Sequence, residues 1–257
     1  MTKDTSPSRQ NPIVNLVGFA MILLFAWFLK WESADLIWSL WLGSLLIGYF
    51  TIVGAVLSGL IVVGKIITTD AGEGLATGKQ RALLGIGAIG VGLFFLAFFS
   101  FHFCAFHAGH AMFLKEFFPI DGIDLDSSGL SNAFMNPLLL LKIAITKIAP
   151  FYIWFLIPAL LLDWKKVAGP ILIATNFKPD ESGKKMDLSG MPSDPFFGPY
   201  KNVIKMHILI FFFAGALFLK LDNFFVYAIV YAVYFFPWST LKLKKSNNTA
   251  PTAEVTS

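Results

Sequence analysis

Six stretches of this chain are apolar almost throughout and are closed at their ends by lysine, arginine or acidic residues. They run from Pro12 to Leu29, Leu36 to Gly64, just after Arg81 to Leu114, back from Leu162, Val203 to Leu219, and Phe224 to Trp238. A helix needs roughly 20 apolar residues to cross a bilayer. Backbone polar groups inside lipid must be satisfied within the segment, which selects helix over open strand. The expected fold is therefore all-α: an integral membrane bundle of six transmembrane helices over 12–245. An N-terminal tail (1–11) and a disordered tail (246–257) flank it. The chain is 56% hydrophobic and only 14% charged, well below the roughly 25% charge of soluble domains.

The basic residues orient the bundle. Lys3, Arg9, Lys65, Lys79, Arg81, Lys165, Lys166, Lys178, Lys184, Lys185, Lys201 and the C-terminal lysines fall on one side if the chain crosses six times. The positive-inside rule makes that side cytoplasmic and places both termini there, as in a bacterial inner-membrane protein. Glu32, Asp35, Asp121, Asp124 and Asp126 fall on the other side. Trp27, Trp31, Trp38 and Trp41 cluster at the first outer turn, as interfacial tryptophans do. The stretch 165–200 is rich in proline and glycine and reads as an irregular cytoplasmic loop. Net charge is +4, and membrane topology accounts for it without nucleic acid.

The second and third spans are longer than a bilayer requires, so tilt or projection beyond the outer surface is expected. They carry small residues at close-packing spacing, Gly54 with Ser58, Ala55 with Gly59, and Ala88 with Gly92. These faces suit another helix, in the bundle, in a second copy or in a membrane partner.

Chemistry concentrates in four histidines. His102, His107 and His110 lie within nine residues of the third span, and His207 begins the fifth. On a helix His107 and His110 stand 60° apart and one turn along, close enough to share a metal ion, whereas His102 is about 12 Å from His110 along the axis. Imidazole suits zinc, copper, iron or nickel, and haem iron equally. The plainer reading is that interfacial histidines bond carbonyls or headgroups. Counting residues from each boundary puts the cluster at the outer face and His207 near the inner face. His207, Tyr200 and Lys201 are thus expected to form a separate lipid-binding or structural entry to the fifth span, with His207 bonded to another helix and not to the cluster. Cys104 is the only cysteine, and packing is its plainer role. The carboxylates Asp121, Asp124 and Asp126 read as a solvated loop.

The chain has no phosphate loop, no His-Glu-x-x-His and no nucleophile elbow. Two function classes stay open. One is a non-enzymatic permease-like protein or partner-binding scaffold in contact with lipids. The other is a redox protein holding a transition metal or haem at the outer histidines.

The pattern His102-Phe103, Phe106, His110 and Phe113, with the later Pro199-Tyr200 and His207, resembles an uncharacterised family of bacterial multi-pass membrane proteins. Asn202 stands where that family has arginine, His107 is an additional histidine, and a histidine expected before Pro199 has no counterpart. The resemblance implies a multi-pass membrane protein and no particular activity.

Overall fold

A computed structural model describes residues 12–68, 77–179 and 198–221, with 225, 226 and 229. The rest of the sixth expected span, the two tails and most of the stretch before Gly198 lie outside the described residues. Among the described residues every regular element is helical. The helices are α1 (Pro12–Phe28), α2 (Ser33–Thr68), α3 (Gly78–Phe117), α4 (Pro137–Ile143), α5 (Ile153–Asn176) and α6 (Gly198–Phe218). Two of them are long and apolar enough to cross a membrane, and a bent pair makes a third candidate.

The centre of the fold is an antiparallel hairpin of α2 and α3. At one end the Trp38 indole N–H donates to the Phe118 carbonyl at 2.7 Å. The Trp41 indole donates to the His107 carbonyl at 2.9 Å. Further along, Tyr49 and Ser100 share a hydroxyl–hydroxyl bond of 3.1 Å, and Gly92 lies under Val56 and Leu60. Trp38 and Trp41 are 0% exposed, so they are not the interfacial belt that their position suggests. Each buries a large apolar ring and uses its single N–H to satisfy a carbonyl on the neighbouring helix.

Small residues set how close the helices come. A Cβ on Gly48 would stand 2.4 Å from the Phe103 ring, and one on Gly54 would stand 2.7 Å from the Val167 carbonyl oxygen. Gly54 and Gly92 therefore face other helices of the same chain, whereas nothing stands within 4 Å of Gly59. α5 runs alongside α2, with Phe155 against Gly43 and Val167 against Gly54. At its end the Lys65 amine donates to the Thr175 and Phe177 carbonyls. Lysine at a helix C-terminus meets carbonyls that lack intrahelical partners.

The fourth expected span is not one straight helix. α4 continues as a π turn over Ala144–Ile148, and its axis then bends by 117° into Ile153–Leu161. Pro150 stands at the break and has no N–H to offer a continuing helix, although Ala149 before it keeps helical geometry. α5 then runs to Asn176, past Lys165 where irregular chain is expected, with Pro158 and Pro170 inside it.

The ends of the hairpin differ in charge. Lys65 and Arg81 sit at one end, where Arg81 reaches the Ile67 carbonyl. Asp35 sits at the other, accepting from the Tyr152 hydroxyl at 3.1 Å. The loop after α3 lies at that same end. There Asp124 accepts backbone N–H bonds from Asp126 and Ser127, and Asp126 pairs with Lys115.

Candidate functional site

The histidines lie on the C-terminal half of α3, where it meets α2 on one side and α6 on another. α6 runs parallel to α3. Tyr200 stands opposite His102, and His207 stands opposite His110.

His107 is fully buried and fully occupied. Its Nδ1 lies 3.0 Å from the Phe103 carbonyl, one turn back. A carbonyl only accepts, so Nδ1 carries the proton and donates. Nε2 is then the acceptor, and the Ser44 hydroxyl donates to it from α2 at 3.2 Å. The ring also packs against Phe103 and Trp41. His107 thus ties two helices together and has no free nitrogen for a metal. The His107 and His110 ring centres are 6.1 Å apart.

His102 is exposed, and its Nδ1 is 3.0 Å from the Tyr200 hydroxyl. The Tyr200 ring also touches Phe99 and Phe103. The side chain of Lys201 lies outside the described residues.

His110 is 5% exposed. Its Nε2 lies 2.6 Å from Nδ1 of His207, and its own Nδ1 is buried with no hydrogen-bond partner. This overturns the expectation that His207 stays apart from the cluster. The depth count anchored each helix separately to one membrane boundary. α3, however, is about 60 Å long at 1.5 Å per residue, twice the hydrocarbon thickness, and α6 packs beside its second half only. Tyr200 is therefore level with His102 and not with the start of α3.

One signal for this pairing is present in the sequence. Seven residues separate Tyr200 from His207, which puts both on one helix face, and eight separate His102 from His110. Ser44, Trp41 and Phe134 carry no comparable signal, because only the packing brings them to the histidines.

Between α3 and α6 lies a cleft of about 470 Å³. His102, His110 and His207 supply its polar groups, and its walls include Phe106, Phe113 and Phe211. Phe134, from the 3-10 turn at Leu130–Met135, lines it as well. A volume of this size suits a small organic molecule. Among the described residues no three histidine, cysteine or acidic side chains gather as a ligand set for a metal ion. Cys104 is buried within the apolar core.

The sequence matches a family of unknown function, DUF6498, over residues 2–164. The chain belongs to that family. The matched part contains α1 to α4, the first half of α5 and the three histidines of α3. Tyr200 and His207 on α6 lie beyond it, so the family match covers one wall of the cleft and not the other. No curated protein and no solved structure matches the chain.

Proposed function

We propose that this is a multi-pass membrane protein of the bacterial inner membrane, six-span with both termini cytoplasmic, that takes an amphipathic molecule from the lipid phase into the α3–α6 cleft. The role is binding, of the permease or scaffold kind, and not catalysis. One observation carries it: a mostly apolar cleft whose few polar groups are three imidazoles. Exposed Phe106 and Phe211 line it, and Phe106 stands about 37 Å along α3 from Arg81, at the outer membrane interface, where an amphipathic molecule from the bilayer can enter. Such sites hold a ligand by apolar contact and orient it with a few polar atoms. The gathering of Lys65 and Arg81 at one end of the hairpin, and of Asp35 and the acidic loop at the other, supports the orientation.

The test fills the cleft. Full-length protein in detergent micelles is titrated with an environment-sensitive apolar fluorophore, alongside Ala105→Trp. Saturable binding of one probe per chain is expected, weakened at least tenfold in the variant. Equal binding by both proteins refutes the reading.

A second reading has its own observation, the facing ring nitrogens of His110 and His207. A tetrahedral zinc with bonds of about 2.05 Å needs its nitrogens roughly 3.3 Å apart. The rings would have to part by about 0.7 Å, with the cleft supplying the remaining positions. Stoichiometric metal, or a haem absorption band, in purified protein that disappears in His110→Ala supports this reading. A metal-free protein without such a band counts against it.

A further inference from the structure

The hydrogen bond between the two imidazoles restricts what the cleft recognises. Each neutral imidazole carries one proton, and a hydrogen bond between two nitrogens uses only one. Two arrangements follow. In the first, His110 Nε2–H donates to His207 Nδ1, the other proton sits on His207 Nε2, and His110 Nδ1 is bare. In the second, His207 Nδ1–H donates to His110 Nε2, the other proton sits on His110 Nδ1, and His207 Nε2 is bare. Both arrangements hold the same two protons. The second strands an N–H at the buried His110 Nδ1, which has no partner, whereas the first leaves a bare lone pair there, and orphaned buried N–H groups are the rarer of the two in folded proteins. The first is therefore favoured, and His207 presents a donor. That donor is on the ring edge opposite His110, on an exposed side chain lining the cleft.

A ligand matched to this site offers an acceptor oxygen on a flat ring and an apolar remainder. The walls are rich in aromatic rings, and stacked or tilted ring contacts favour a planar partner. We infer that the α3–α6 cleft binds a ring carbonyl of the quinone class, with its oxygen accepting from His207 Nε2–H and its apolar tail directed to lipid. The inference rests on the cleft being a binding site for an amphipathic molecule. It further implies a preference for the oxidised form. A quinol oxygen can also accept from His207 Nε2–H, but its own O–H then needs an acceptor, and His207 offers one only in the arrangement that strands the His110 N–H.

The experiment measures retention of ligand by full-length protein in micelles against protein-free micelles. The probes are a benzoquinone with a decyl tail, its reduced quinol, and decylbenzene, which has the same tail without oxygen. Saturable binding of one quinone per chain is expected, with the quinol at least threefold weaker and decylbenzene at least tenfold weaker. His207→Ala should reduce quinone binding to the decylbenzene level, while Ile208→Ala on the exposed face should not. Decylbenzene binding as tightly as the quinone overturns the inference, and so does unchanged quinone affinity in folded His207→Ala. If His207→Ala does not fold, the three probes on the unaltered chain still decide. Failure of the quinone with retention of the apolar fluorophore sinks this inference alone. Failure of both sinks the cleft reading as well.

Discussion

The two buried histidines of α3 have opposite situations. His107 has a partner on each nitrogen, so it behaves as a fixed strut between α2 and α3. Ser44→Ala removes the donor to Nε2 and leaves a buried acceptor unpaired. The expected cost is about 1–3 kcal/mol, read as a lower thermal midpoint in detergent with the cleft affinity unchanged. Loss of probe binding without loss of stability would instead put Ser44 in the site. His110 has one partner on the facing helix and one nitrogen without any. That imbalance makes the second histidine the one with chemistry to offer. Asp124 illustrates the same bookkeeping in the loop after α3. Backbone N–H and hydroxyl donation by Ser127 holds its carboxyl below the ordinary value. A depressed carboxylate stabilises the loop above the ordinary carboxylate range, and that contribution is lost as acid protonates Asp124. Protection factors of the Asp126 and Ser127 amides, taken against the intrinsic exchange rate at each pH, should therefore be high at neutral pH and fall as acid takes the pH below the ordinary carboxylate range. Flat protection across the titration would remove Asp124 from the turn.

At the scale of elements, glycine placement distinguishes helix faces that touch from those that do not. Gly54 lies against the backbone of α5, and a Cβ there would meet the Val167 carbonyl oxygen at 2.7 Å. Backbone cannot swing aside as a side chain can. Gly54→Ala should force α2 and α5 apart and destabilise the protein by about 1–3 kcal/mol. A Cβ on Gly59, five residues on, would meet nothing within 4 Å. Gly59→Ala should be neutral or slightly stabilising, because alanine is the better helix former. Thermal unfolding of the pair in one detergent makes the comparison, and equal effects would contradict the α2–α5 packing. The small-xxx-small pattern is the same at both positions in the sequence. The difference lies in which neighbour the fold brings up to each.

For the whole molecule, the length of α3 governs the architecture. It is twice as long as the hydrocarbon core is thick, and α2 nearly so. Each therefore has one half in company with α6 and one half without it. The side chains from Leu83 to Phe98 that point away from α2 are largely exposed and apolar, a surface suited to lipid. The proposed orientation puts the basic end of the hairpin in the cytoplasm. Single cysteines on a Cys104→Ala background test it with a membrane-impermeant thiol reagent on intact cells. Labelling is expected at Ser128→Cys and not at Ser182→Cys, and the reverse pattern would invert the topology.

The apolar runs and their charged ends determined that this chain is helical and membrane-like, because only a satisfied backbone survives in lipid. They also set helix starts at Pro12, Leu36 and just after Arg81, where charge interrupts the apolar pattern, and the second and third helices begin a turn earlier, at Ser33 and Gly78. The histidine cluster was visible as three histidines on one helix. Its division of labour was not. Whether a histidine is a strut, a cap or half of a facing pair depends on which atoms of other helices lie within 3 Å of it. That offset between helices is set by packing: Gly48 admits Phe103, Trp41 holds the His107 carbonyl, and α6 settles beside the second half of α3. Counting residues from a membrane boundary fixes depth only for a helix of one bilayer's length. α3 is longer, so only the tertiary structure decided that His207, 97 residues away in the chain, would face His110.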